Sequence, residues 1–269
     1  MIRLENKVLP DKAQQKLDAY QKEVNKLSDY AQKVSEAKRL FGTRNRPNNK
    51  TFQSVRALLE QMCSGARRCC YCEDSCADEV EHIRPKDIYP EWVFVWDNYL
   101  YACGPCNSPK GNQFAVIEPQ TGQFVNVARR KGEPVVPPLP GYPVLIDPRC
   151  ENPLDYMALD LRDTFWLVPI ANEGTPDYQR AQYTIDLLRL NRREVLVNAR
   201  RNAFDSYKAR LYEYQRKKDL GTSQDDLKRL IKSLQQMHHP TVWAEMKRQY
   251  TLHEELKSLF KALPEALKW

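Results

Sequence analysis

Two cysteine pairs, Cys69/Cys72 and Cys103/Cys106, each have the C-x2-C spacing, and they constrain this chain more than any other feature. Such a pair forms a knuckle in which two thiolates hold one tetrahedral zinc, and two knuckles complete a four-cysteine site. The 30 residues between Cys72 and Cys103 exceed the spacing of a simple zinc ribbon, so the loop is expected to house something else. The chain has eight cysteines in all. No stretch approaches the ~18 apolar residues of a membrane span, and the opening MIRLENKVLPDK lacks the apolar centre of a signal peptide. A cytoplasmic, reducing setting is therefore expected, where cysteines serve as metal ligands or free thiols rather than disulfides. A rival pairing, Cys72-x3-Cys76, also suits zinc and would leave Cys69 spare. Cys70 is expected to point away from the metal, and Cys63 and Cys150 have no near partner in the sequence. The bland alternative is a set of buried free thiols.

Charge separates the chain into unequal parts. Residues 61–112 hold five basic and eight acidic side chains, whereas residues 179–269 hold nineteen basic and eleven acidic ones. Positive charge also dominates residues 1–60, with thirteen basic against seven acidic. The centre is thus acidic and the flanks basic, either as solvated helix faces or as a surface that tracks phosphates. Residues 11–41 carry no Gly or internal Pro, and Leu17, Tyr20, Val24, Leu27, Tyr30 and Val34 recur at helical steps. After the turn-rich GTRNRPNNK, a second helix is expected over 51–63. Residues 113–178 mix short extended runs (FAVIEP, YPVLIDP, TFWLVPI) with many prolines. From Tyr178 onward the chain reads helical, with pieces at 192–218, 225–237 and 241–263. The expected organisation is a helical region at 1–60, a core at 61–115, an irregular short-strand segment at 116–178 and a basic helical region at 179–269.

Between the cysteine pairs lie VEHIRPK and WDNYLYACGPCNSPKGN. The order C-x2-C, acidic-His-Ile-x-Pro, Asn-x-Leu, C-x2-C-Asn, Lys-Gly resembles the HNH endonuclease family in its zinc-knuckle form, over about 45 residues from 69 to 112. The resemblance implies an α+β fold: a small ββα-metal core with a four-cysteine zinc site, embedded between mainly α-helical N- and C-terminal regions. It implies His82 as general base, Glu81 and Asn107 as ligands of a catalytic divalent ion, and Asn98 as the brace of the loop between the strands. Cys69, Cys72, Cys103 and Cys106 match the zinc ligands. Arg84, Lys86 and Lys110 flank the motif as candidate phosphate contacts or as solvated charges. Two departures stand out. Glu81 stands where Asp is commoner, so the loop must absorb its longer reach. Pro109 is tolerable in the final helix only if it falls in the first turn. His238, His239 and His253 lack such a context and are expected at the surface or at helix caps.

These residue types also suit the chemistry by themselves. Phosphodiester hydrolysis needs an activated water, and a metal to neutralise phosphate charge. A neutral imidazole can accept a proton near neutral pH. Mg²⁺ or Mn²⁺ prefers the oxygen ligands that Glu81 and Asn107 offer, while zinc held by four thiolates has no open position and is structural. The phrases YCED, EHIRPKD, WDNYLYACGPCNSPKGN, LIDPRCENP and YTIDLLRLNRREVLVNARR, in that order, further resemble the HNH nuclease component of the Septu anti-phage system. That resemblance implies an ABC/SMC-like ATPase partner and a nucleic-acid target, DNA in the first place with RNA as the alternative. Two other functions remain in view. One is a non-catalytic zinc module binding nucleic acid or protein, which would have no use for Glu81, His82, Asn98 and Asn107 in register. The other is a stand-alone restriction or homing nuclease, which a neighbouring ATPase gene would argue against.

Overall fold

The apolar periodicity of the first sixty residues becomes three helices in the computed structural model, which describes residues 1–269. They are α1 (Asp11–Asn25), α2 (Tyr30–Arg44) and α3 (Lys50–Met62). The single helix expected over 11–41 is interrupted because Asp29 is extended and its carboxylate accepts a hydrogen bond from Gln32 N at 2.8 Å, starting a new helix. Leu17, Tyr20, Val24 and Val34 are buried as their spacing requires, while Leu27 and Tyr30 fall at the break. Asn49 caps α3 in the same way, accepting from Thr51 N and Phe52 N.

The centre holds a two-stranded antiparallel sheet. Strand β1 (Glu79–His82) pairs with β2 (Tyr99–Ala102) in the register Glu79–Ala102 to His82–Tyr99. The loop from 83 to 98 joins them, and α4 (Gly104–Lys110) follows β2 directly and packs on β1. All four residues of β2 are buried, with α3 covering them. Contrary to expectation, Pro109 lies in the last turn of α4 rather than the first. The helix tolerates it because it ends one residue later, at Lys110, with Gly111 as its cap, so only a terminal backbone bond is forgone.

Beyond the centre, β3 (Ala115–Ile117) lies between β4 (Phe124–Asn126) and β5 (Tyr142–Pro143). Gly141 is required at the entry to β5, since a Cβ there would stand 2.8 Å from Val116 Cβ and 2.7 Å from the Ile117 carbonyl oxygen. A separate hairpin pairs β6 (Met157–Leu159) with β7 (Leu167–Pro169). The C-terminal part is helical: α5 (Pro176–Leu187), α6 (Glu194–Asp219), α7 (Gln224–Gln235), α8 (Pro240–Gln249) and α9 (Glu254–Ala262). The last expected helix is thus divided, by a 3-10 turn at Tyr250–Leu252. No helix is long and apolar enough to cross a membrane.

One apolar core runs through the chain, taking in Leu17 and Phe52 from the N-terminal helices, the four central cysteines, Met157 from β6 and Leu211 and Phe260 from the C-terminal helices. Within it, Phe41, Phe52, Phe94 and Tyr99 form an aromatic cluster with ring centroids 5.6–6.4 Å apart. Arg149 is buried beside it and holds the 83–98 loop from outside. Its guanidinium donates to the Trp96 and Tyr99 carbonyls at 2.7 and 2.9 Å and to Asn6 Oδ1 at 3.1 Å, and lies 4.6 Å over the Trp96 ring.

Candidate functional site

The first knuckle is a tight loop whose ends are pinned by backbone bonds. Ala77 N donates to the Arg67 carbonyl, Cys69 N to that of Ser75 and Glu73 N to that of Cys69, each at 2.9 Å. Arg67 and Glu73 adopt left-handed conformations (φ 54° and 62°) to turn the chain within so few residues. Glu73 is held there by its buried carboxylate, which accepts from Thr241 N and Oγ1 at 3.1 and 2.8 Å. The second knuckle is the start of α4, where Cys106 N and Asn107 N both donate to the Cys103 carbonyl. Cys70 N donates to the Tyr101 carbonyl and Asp78 N to that of Ala102, so the two knuckles ride on the β1/β2 sheet.

Together they bring the Sγ atoms of Cys69, Cys72, Cys103 and Cys106 within 4.8 Å of one another, with Cys72 and Cys103 at 3.7 Å. All four are buried. Tetrahedral zinc with Zn–S bonds of about 2.3 Å sets its sulfurs about 3.8 Å apart, so these four thiols can bind a zinc ion. Two donors already face the sulfurs: Tyr71 N at 3.4 Å from Cys69 and Arg193 Nη2 at 3.2 Å from Cys106.

The other cysteines stand apart from this group. Cys76 is exposed and takes the Arg67 guanidinium at 3.0 Å, so it does not replace Cys69. Cys70 turns away, as its place between two ligands demands. Cys63, which had no partner by sequence, lies beside it with the two sulfurs 4.0 Å apart. His239 is also not at the surface. It is buried, left-handed at φ 56°, and its Nε2 lies 3.4 Å from Asp74 Oδ1 at the start of α8.

At the end of β1, Glu81, His82, Lys86, Asn107 and Asn112 line a pocket of about 250 Å³. His82 is buried, with the Phe41 ring of α2 edge-on at 4.4 Å and Tyr99 at 5.2 Å. Its Nε2 lies 3.0 Å from the Val93 carbonyl oxygen. A carbonyl only accepts, so Nε2 carries the proton and Nδ1 is the ring's free acceptor. Burial, reinforced by the nearby Lys86 and Lys110 charges, holds the imidazole pKa well below its usual value, so the ring is neutral.

Glu81 is buried too, and desolvation raises its carboxyl pKa against the opposing pull of Lys110. The Lys110 ammonium, wholly buried, lies 2.5 Å from Glu81 Oε1 while directing a hydrogen bond to the His82 carbonyl at 2.7 Å. Oε1 itself has no hydrogen-bond partner of good geometry. Lys110 therefore reaches inward, clamping α4 to β1. Asn107 donates from Nδ2 to Glu79 Oε2, which leaves its amide oxygen unengaged. Asn98, buried, accepts from Arg84 N at 2.8 Å and donates to the Arg84 and Trp92 carbonyls at 3.1 and 2.9 Å, closing the 83–98 loop on itself. The Arg84 guanidinium stacks 4.7 Å over Trp92, and Lys86 is half-buried 5.2 Å over Phe41.

Sequence reasoning missed three participants. Glu79, two residues before Glu81 and so on the same strand face, orients Asn107; period-two spacing could have flagged it. Phe41 and Arg193 come from distant helices, and nothing in their local sequence places them against His82 or Cys106.

No family model matches the chain, and no solved structure matches it. Among curated proteins, Septu protein PtuB of Bacillus thuringiensis is 43% identical to it over 68 residues, which make up 23% of this chain and 25% of that protein. The shared stretch spans about a quarter of the relative's length. Over that stretch the chain is similar to this Septu protein.

Proposed function

We propose that the chain is a metal-dependent HNH endonuclease, the effector of a Septu-type anti-phage defence complex, hydrolysing phosphodiester bonds of DNA. The observation that carries this reading is the pocket at the end of β1: a neutral, buried imidazole with one free acceptor nitrogen stands beside a carboxylate and a carboxamide oxygen. In this reading β1, β2 and α4, within residues 61–115, form a ββα-metal core. The four-cysteine zinc site anchors that core, and the helical 1–60, short-strand 116–178 and basic 179–269 regions support it.

The roles follow from the contacts. His82, its tautomer fixed by the Val93 carbonyl, takes a proton from water at Nδ1 as general base. Tyr99 Oη donates to the same carbonyl at 2.7 Å, and Asn98 braces the loop that carries it. Glu81 and Asn107 would hold Mg²⁺ or Mn²⁺, which supplies charge neutralisation at the phosphate and the leaving oxygen. Glu81 fits this role through the carboxylate oxygen that Lys110 does not hold, Oε1 being paired with the Lys110 ammonium at 2.5 Å, and Asn107 through its free amide oxygen. Lys86, half-buried at the pocket with no carboxylate in contact, is suited to a phosphate oxygen; Arg84, two residues earlier in the loop, is stacked on Trp92 outside the pocket lining.

The Septu likeness supports a partner, which we take to be an ABC/SMC-like ATPase that assembles the nuclease. The test is co-expression with that ATPase, then cleavage assays on DNA and RNA with Mg²⁺, comparing the parent with His82→Ala. Loss of cutting with zinc content retained is expected. Full activity in His82→Ala, or cutting by zinc-replete protein stripped of Mg²⁺ and Mn²⁺, would remove the mechanism.

A further inference from the structure

A second groove, of about 560 Å³, adjoins the Glu81/His82 pocket and shares Asn112 with it. One wall is α2, with Ser35 and Lys38; the other is the loop from Arg129 to Val135. Asp87 joins the walls, its two oxygens taking Lys38 Nζ at 2.7 Å and Arg129 Nη2 at 2.8 Å. These cations hold the Asp87 carboxyl below the usual carboxylate range despite its partial burial.

The groove is lined by four cations (Lys38, Arg129, Arg130, Lys131) and two carboxylates (Asp87, Glu133). Asp87 is paired with both Lys38 and Arg129, and Glu133 accepts from the backbone Arg130 N at 2.8 Å without losing its charge, so four cations against two carboxylates leave the lining net positive. The exposed Arg130 and Lys131 side chains make no ion pair, and Lys86 at the junction with the pocket makes none either. No aromatic side chain lines the groove, so it offers no platform on which a base could stack. Residues 61–112 are themselves acidic, with five basic against eight acidic side chains, so attraction for a polyanion has to come from the flanks.

We propose that this groove, walled by Lys38, Arg130 and Lys131 and joined to the pocket at Lys86, binds the sugar–phosphate backbone of nucleic acid without reading its bases. The proposal rests on the nuclease reading for its direction: the bound backbone leads into the His82 pocket. It assigns substrate binding to a helix and a loop outside the β1/β2/α4 unit.

The test uses the full chain with His82→Ala, so that nothing is cut, and a fluorescein-labelled DNA duplex of mixed sequence followed by anisotropy. Adding Arg130→Glu and Lys131→Glu should weaken binding at least about tenfold and make the dependence of log K on log [salt] shallower by about two between roughly 50 and 200 mM. Zinc content and the unfolding midpoint should stay unchanged. A control with the same change in net charge, Lys228→Glu with Arg229→Glu on α7, should bind like its parent. Unchanged affinity in the groove variant, an equal loss in the control, or no binding by the parent at micromolar protein each overturns the groove. A duplex of different base composition should bind within about threefold, far below the cost of a lost base contact; a larger preference overturns backbone-only recognition. Cleavage is scored separately with His82 restored. Its absence would count against the nuclease reading, while the binding comparison still decides the groove.

Discussion

The cysteine cluster and the pocket at the end of β1 stand on the same two strands and the same short helix, yet they are built on opposite plans. The cluster is complete in itself: four buried thiols, all from the chain, leave no direction open. The pocket is incomplete by construction. It offers the Glu81 carboxylate, the Asn107 and Asn112 amides and one imidazole acceptor around a space of about 250 Å³. A closed ligand set serves folding, whereas an open one leaves room for water and substrate. Their adjacency lets the cluster hold the pocket in place, through Cys70 N and Asp78 N bonded to β2.

The comparison breaks most plainly at Cys103→Ser. Structural zinc contributes about 10–16 kcal/mol of apparent binding free energy, comparable to a whole domain's stability of about 5–15 kcal/mol. We expect that variant to lose most of its zinc by elemental analysis and to unfold cooperatively at far lower temperature, taking the pocket with it. On the other side, His82→Ala should lower the cleavage rate about 10²–10⁴-fold while zinc content is unchanged. A parallel fall in zinc would mean that the two sites are one structural unit.

Lys110→Met should sharpen the boundary between them. It leaves the Glu81 carboxylate buried without its cation, a loss of about 3–5 kcal/mol in urea unfolding. A change below about 1 kcal/mol would show that the clamp between α4 and β1 does not need the ion pair. A pH effect comes next. The His82 pKa is lower folded than unfolded, so its neutral form contributes stability that is present above about pH 6.5. That contribution is lost as pH falls toward the depressed folded value, by up to about 1.4 kcal/mol per unit. Unfolding midpoints measured down a pH series should show this slope in the parent and a reduced one in His82→Gln. Cys76→Ser should change zinc content not at all and stability by less than about 0.5 kcal/mol, since the residue is exposed and outside the cluster.

Much of the cluster was legible because ligand chemistry is local: C-x2-C spacing nearly dictates a knuckle, whatever surrounds it. Strand β1 was legible through its motif, and α3, α6 and α7 through unbroken apolar periodicity. The misreadings came where one short polar side chain competes with a long pattern. Asp29 caps a new helix inside a stretch whose periodicity runs on without a break, and Tyr250–Leu252 tightens into a 3-10 turn within another. Burial of His239 and the approach of Cys63 to Cys70 depend on contacts between residues far apart in sequence or separated by a turn, which no local window encodes. The same holds for Phe41 over His82.

The grip of Arg149 on the 83–98 loop has a consequence for how the molecule is made. The chain emerges from the ribosome N-terminus first, so all four clustered cysteines have been made once residue 106 is free. The loop that carries Val93 and Asn98 waits for Arg149, some forty residues later, and the first knuckle waits longer still for Thr241 to cap Glu73. A chain truncated before Arg149 therefore lacks the donors that hold the 83–98 loop, and one truncated before Thr241 lacks those that hold Glu73 in the first knuckle. The cysteine cluster, whose four side chains are made first, is thus the last to gain all its supports.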